Sequence, residues 1–190
     1  SLYILAGIKK SDFASNEAAL KYFLMGAFST GFLLFGIALI YGASGSFNLD
    51  MIHKWVLAQQ KIDPMFYIGI MLIIVGLCFK VGAAPFHFWT PDVYEGSPTL
   101  ITAYMSTVAK TAAFAAFLRL FSICFAPLSD FWMPVLLVIT IITLFIGNIT
   151  ALYQQSFTRM LAFCSISHAG YLLFAIVALG STSAHSVLVY

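Results

Sequence analysis

Lys110 stands with eleven residues on either side in an apolar stretch from 99 to 121. A lysine at the centre of a bilayer costs about 2.5 to 3.5 kcal/mol on insertion scales. Its stem is too short to carry the ammonium comfortably to either surface, so the group must face protein or water. The chemistry open to it is proton exchange, because desolvation weighs against the charged form. The other use for such a residue is a structural ion pair inside a helix bundle.

Lys80 follows fifteen residues without formal charge, Met65 to Phe79, and Pro85 comes five residues later. Proline has no amide hydrogen, so the Val81 carbonyl loses its helical partner. A freed carbonyl at membrane depth is tolerated only where it is buried in protein or meets a water-filled cavity. Lys80 beside Gly82 and Pro85 therefore reads as a lysine at a broken helix, with snorkelling from a helix end as the alternative. The break continues through PFHFWTPDVYEGSP, Pro85 to Pro98. There His87 is a candidate relay between Lys80 and the aqueous side, while Asp92 and Glu95 either balance positive charge or sit as solvated carboxylates in a capped turn.

His168 is centred in the stretch 157 to 180, with Ser165 three residues before it and Tyr171 three after, all on one helix face. That face suits a hydrogen-bonded wire or a satisfied core histidine. Ser106, Thr107 and Thr111 surround Lys110 but also bond readily to their own backbone. Asn148 and Thr150 are expected to link helices, and Trp55, Trp89 and Trp132 suit membrane interfaces.

The elements that must position these groups follow from composition. Of 190 residues, 62% are hydrophobic and only 8% charged, against roughly 25% charged in a soluble domain. Mean hydropathy is +0.98. Apolar stretches near the roughly 20 residues needed to cross a bilayer recur at 17–41, 65–90, 99–121, 131–154 and 157–180, and a further one begins near His185. The expected fold is all-α, a polytopic transmembrane bundle with a proline-broken helix, forming one membrane domain over 1–190. Alternating ten-residue strands of a membrane barrel are absent.

Ser15 and Asn16 are candidate caps of the first span, with Glu17 in its first turn, and Gly26, Gly31 and Gly36 offer close helix approach. Residues 42–64 read as a polar loop with a short surface helix. A net charge of +2 without basic runs excludes a nucleic-acid footprint. Cys78, Cys124 and Cys164 show no ligand spacing and read as small buried thiols. There is no phosphate loop or nucleophile elbow, so no metal, nicotinamide, flavin or iron-sulfur cluster is expected in this chain. The sequence opens at Ser1 without a methionine and stops inside an apolar stretch, which reads as part of a longer chain.

FKVGAAPFHFWTPDVYEGSPTLITAYMSTVAK, Phe79 to Lys110, resembles the antiporter-like membrane subunits of respiratory complex I. Thr90, Val93 and Tyr94 are similar to the N-type subunit rather than to the L and M types or the Mrp-type cation antiporters. EAALKYFLMGAFSTGFLLFGIALIYGASGS (Glu17 to Ser46) and RMLAFCSISHAGYLLFAIVAL (Arg159 to Leu179) resemble the same subunit. The resemblance implies inverted five-helix repeats, each with a discontinuous helix, and proton translocation along a central line of charged residues.

By that resemblance Lys80 matches the lysine of the first broken helix, Lys110 the lysine of the following helix, and His168 a central-axis histidine. A glutamate that pairs with Lys80 is expected upstream of Ser1, and a second broken helix with its lysine beyond Tyr190. Separation of the glutamate pair would let the Lys80 proton move on to Lys110. NAD, FMN, iron-sulfur clusters and quinone are implied in other subunits. The implied setting is a bacterial inner membrane among the other complex I membrane subunits. A cation/proton antiporter subunit and a structural membrane scaffold are the alternative readings.

Overall fold

Short polar caps set where some of the apolar runs become helices. In the computed structural model, which describes residues 2–59 and 61–178, these runs form α1 (Leu2–Ala6), α2 (Phe13–Ser44), α3 (Leu49–Ala58) and α4 (Pro64–Val81). They are followed by α5 (Trp89–Gly96), α6 (Thr99–Tyr104), α7 (Lys110–Arg119), α8 (Ser129–Leu152) and α9 (Phe157–Val177). Asp63 accepts from the Met65 amide at 2.9 Å with Pro64 opening α4, and Asn48 accepts from Asp50 at 2.9 Å to open α3. Among the described residues, five helices are long and apolar enough to cross a membrane: Phe13–Ser44, Pro64–Val81, Thr99–Cys124, Ala126–Leu152 and Phe157–Val177. The chain is a multi-pass membrane protein. The span expected near His185 lies outside the described residues.

Several local expectations need correction. The first span begins at Phe13, because Asp12, not Ser15 or Asn16, accepts from the Ala14 amide at 3.1 Å. Ser15 instead donates to the Ala6 carbonyl at 2.6 Å and ties α1 to α2. Trp89 and Trp132 are buried within the bundle, each donating its indole N–H to a carbonyl, Phe79 at 3.0 Å and Phe125 at 2.8 Å. Of Gly26, Gly31 and Gly36, only Gly36 meets a neighbouring helix closely among the described residues. A Cβ there would stand 2.8 Å from the Gly69 carbonyl of α4, whereas Gly26 and Gly31 face open space.

The second span ends at Val81, not at residue 90. Gly82, at φ 75°, closes α4, its amide donating to Phe79 O at 3.1 Å and that of Ala83 to Cys78 O at 2.9 Å. Pro85 thus follows a helix that has already ended. α4 is the core of the bundle: Phe66, Ile70, Ile74 and Leu77 pack with Phe117, Phe121, Leu136 and Leu173 from the later spans.

Charge fixes one end of α5. Lys21 Nζ of α2 lies 2.7 Å from both Glu17 and Asp92, and Arg159 Nη1 of α9 lies 3.0 Å from Asp92 and 2.9 Å from Glu95. Asp92 and Glu95 therefore pair with Lys21 and Arg159, not with Lys80 or His87. Burial alone would raise the Asp92 carboxyl, but the hydrogen bonds and charges of Lys21 and Arg159 outweigh it and hold it below the ordinary carboxylate range. The cluster is thus intact at neutral pH and loosens only as pH falls through that depressed range.

Two outcomes test this packing in the full-length parent protein. Gly36→Val is expected to cost about 1 to 3 kcal/mol by forcing α2 from α4, while Gly31→Ala stays near neutral, read as thermal stability in detergent. Arg159→Gln is expected to raise amide exchange across Trp89–Gly96 by about fivefold, the factor that roughly 1 kcal/mol of exposed ion pairing represents. Unchanged exchange would mean that the cluster does not hold α5.

Candidate functional site

The span Thr99–Cys124 is not a uniform helix. π-helical turns at Met105–Ala109 and Leu120–Cys124 flank α7, and the first ends where Lys110 begins. A π turn inserts an extra residue and rotates the side chains that follow; such turns occur often at functional positions. Lys110 is 7% exposed. Its Nζ donates to Ser165 O at 2.8 Å and to Ser165 Oγ at 2.6 Å, across to α9. No ion pair to Lys110 exists among the described residues; its partners are neutral oxygens.

Lys110 lines a cavity of about 1030 Å³ between α6–α7 and α9, together with Ser165 and His168. Thr107 and Thr111 add hydroxyls to its wall, but each donates to its own helix, to Ala103 O at 2.8 Å and Thr107 O at 2.9 Å. His168 is exposed toward the cavity, with Tyr171 edge-on at 6.0 Å. The structure thus brings Lys110, Ser165 and His168 together.

It does not bring Lys80 into that cavity. Lys80 occupies the last turn of α4 and lines a separate cavity of about 500 Å³ against α2, with Tyr22, Ser29 and Thr30. Ala109 lines this second cavity while Lys110 lines the first, so consecutive residues of one span face the two spaces. His87 lines neither; it is buried against Phe88 and Phe163, its Nδ1 without a hydrogen-bond partner among the described residues.

Tyr94, Ser97 and Glu95 reach the wall of the larger cavity from the α5 side. Burial pushes the Tyr94 phenol up to about 12, so it remains protonated through the physiological range. Sequence reasoning had no means of placing Tyr94 or Ser97 here, since nothing in their spacing to Lys110 reveals how the chain folds back after the break. Asn148 does link helices as expected, accepting from Ser167 Oγ at 2.9 Å. Cys78 and Cys124 are buried free thiols, and Cys164 lines the larger cavity. No group of metal-ligating side chains occurs among the described residues.

Comparison with known proteins matches this arrangement to a family. NADH-quinone oxidoreductase subunit N of Gemmatimonas aurantiaca is 48% identical over 190 residues, covering 100% of this chain and 36% of that protein. The corresponding subunit of Trichlorobacter lovleyi is 47% identical over 191 residues, so the chain spans about two fifths of the curated relatives it matches. Among solved structures, a chain of respiratory complex I from Thermus thermophilus with bound aureothin is 43% identical with a TM-score of 0.76, covering 92% of this chain and 36% of that one. A chain of the Mrp complex from Dietzia is 25% identical with a TM-score of 0.88, covering 98% and 35%. The family described as NADH:quinone oxidoreductase/Mrp antiporter, transmembrane, matches residues 1–190, and this chain belongs to it.

Proposed function

We propose that the chain is part of a proton-translocating membrane subunit of a bacterial plasma-membrane NADH:quinone oxidoreductase. In this reading it works among the other membrane subunits of that complex. Lys80, Lys110 and His168 carry protons, and His87 is a further relay candidate. NAD, FMN, iron-sulfur clusters and quinone belong to partner subunits, and this chain contributes proton movement rather than electron transfer.

The observation that carries the reading is Lys110. A lysine kept for structure is expected to have a carboxylate partner, because an uncompensated buried charge is strongly unfavourable. Lys110 has two neutral oxygens of Ser165 and a cavity instead. Such a site favours exchange between the ammonium and the amine, with Ser165 able to bond either form. His168 on the same cavity is the next acceptor, reached through water. Lys80 lines a separate cavity behind the same span.

The Mrp-type antiporter reading shares this fold, as the TM-score of 0.88 indicates. The identities of 43% and 48% to NADH-quinone oxidoreductase chains favour the redox-coupled reading.

The test uses the full-length parent assembled in its complex in membrane vesicles. Lys80→Ala and Lys110→Ala are each expected to lower NADH-driven quinone reduction and proton pumping together, by about a hundredfold if proton transfer is limiting. Wild-type values of both activities in both variants would leave the scaffold reading. Sodium-dependent proton exchange in the absence of NADH would support the antiporter.

A further inference from the structure

α8 carries two threonines that are equally buried and differently used. Thr140 and Thr143 are both 0% exposed. Each donates its hydroxyl hydrogen to its own helix, Thr140 Oγ1 to Leu136 O at 2.7 Å and Thr143 Oγ1 to Ile139 O at 2.6 Å. Such a bond is the ordinary local use of a threonine inside a helix. Thr143 does more, because its oxygen also accepts the Ala84 amide at 3.0 Å from a segment distant in sequence.

Ala84 is the point at which the break cannot satisfy itself. The Gly82 amide donates to Phe79 O at 3.1 Å and the Ala83 amide to Cys78 O at 2.9 Å, which closes α4 from within. Pro85 has no amide hydrogen, and the Phe86 amide turns back to Ala83 O at 2.8 Å. The Ala84 amide has no backbone acceptor among the described residues, and Ala84 is fully buried. Leaving that N–H unpaired would cost more than an ordinary hydrogen bond contributes.

Lys80 sits in the last turn of α4, directly before this segment, with no hydrogen bond or ion pair of its own among the described residues. Its placement is therefore that of its backbone, which the Trp89 indole holds at Phe79 O and Thr143 holds at Ala84 N. The same helix α8 is fixed against α9. Asn148 Oδ1 accepts from Ser167 Oγ at 2.9 Å, and a Cβ on Gly147 would stand 2.9 Å from the Ser167 amide nitrogen. α9 carries Ser165, the partner of Lys110.

We propose that Thr143 is a positioning residue, whose hydroxyl oxygen fixes the broken segment against α8 and so sets where the Lys80 turn stands relative to α9 and Lys110. The proposal rests on the reading of Lys80 and Lys110 as proton carriers. Thr143 lines neither cavity and acts through the backbone that it holds. Valine at this position keeps the branched shape and removes the acceptor, whereas serine keeps the hydroxyl.

The experiment compares Thr143→Val, Thr143→Ser, Thr140→Val and Lys80→Ala in the full-length parent, assembled in its complex in vesicles. NADH-driven quinone reduction, proton pumping and amide exchange over residues 82–88 are measured. Thr143→Val is expected to assemble, to slow both activities by about threefold to tenfold, and to raise exchange over 82–88 by a similar factor, as for loss of one buried hydrogen bond. Thr143→Ser restores rate and protection, and Thr140→Val, whose hydroxyl serves only its own helix, stays at wild-type values. Thr143→Val added to Lys80→Ala slows turnover no further, because both act through one lysine. Wild-type activity in Thr143→Val with Lys80→Ala inactive would overturn the positioning role and leave the proton-carrying reading intact. Slow turnover with unchanged exchange, an equal loss in Thr140→Val, no recovery in Thr143→Ser, or failure of Thr143→Val to assemble would each overturn it as well, since the hydroxyl would then not act by holding the break. Full activity in Lys80→Ala would overturn the carrier reading of Lys80 together with the proposal.

Discussion

Between Val81 and Trp89 the chain leaves its helix inside a bundle whose surroundings offer little water, and every backbone group freed there must find a partner. The structure supplies those partners from distant elements. The Trp89 indole donates to Phe79 O, and Thr143 Oγ1 of α8 accepts from the Ala84 amide at 3.0 Å. Thr143 can do so because it donates its own hydrogen to Ile139 O at 2.6 Å. Satisfying the break therefore also ties the start of α5 to α4 and the break itself to α8, and the charge cluster ties the rest of α5 to α2 and α9. The α5 side of the Lys110 cavity is positioned by these bonds.

A second consequence concerns the span that follows. Once α5 is fixed, Thr99–Cys124 runs between two cavities, and the π turn before Lys110 determines which residue faces which. Ala109 meets the Lys80 side and Lys110 the His168 side. A small residue on one face and a lysine on the next separate two basic groups that would otherwise share one space.

Much of the site was legible because a bilayer makes polarity conspicuous. Lys110 and His168 stood out by depth in apolar runs, and the structure places both on one cavity. The break was legible as a break but displaced: Pro85 drew attention, whereas Gly82, with its left-handed backbone, ends the helix three residues earlier. Trp89 illustrates the limit of composition, since nothing in its position shows that its N–H reaches back to Phe79 O at the end of α4. Asp92 and Glu95 sat too far in sequence from Lys21 and Arg159 for any spacing rule to join them. The π turn was not legible in the sequence, because Met105–Ala109 mixes strong helix formers (Met, Ala) with weaker ones (Ser, Thr, Val) and holds no glycine or proline to mark a change.

The charged residues of this chain divide into two kinds by how they are satisfied. Lys21 and Arg159 each face two carboxylates at one end of the bundle, partly exposed, where pairing lowers the cost of charge and the arrangement favours permanence. Lys110 is more deeply buried and has no such compensation among the described residues. Selection for stability alone would replace it with an apolar residue of similar size, which often costs nothing or stabilises. Its contact with Ser165, a residue able to bond both its charged and its neutral form, suits the transient charge proposed above.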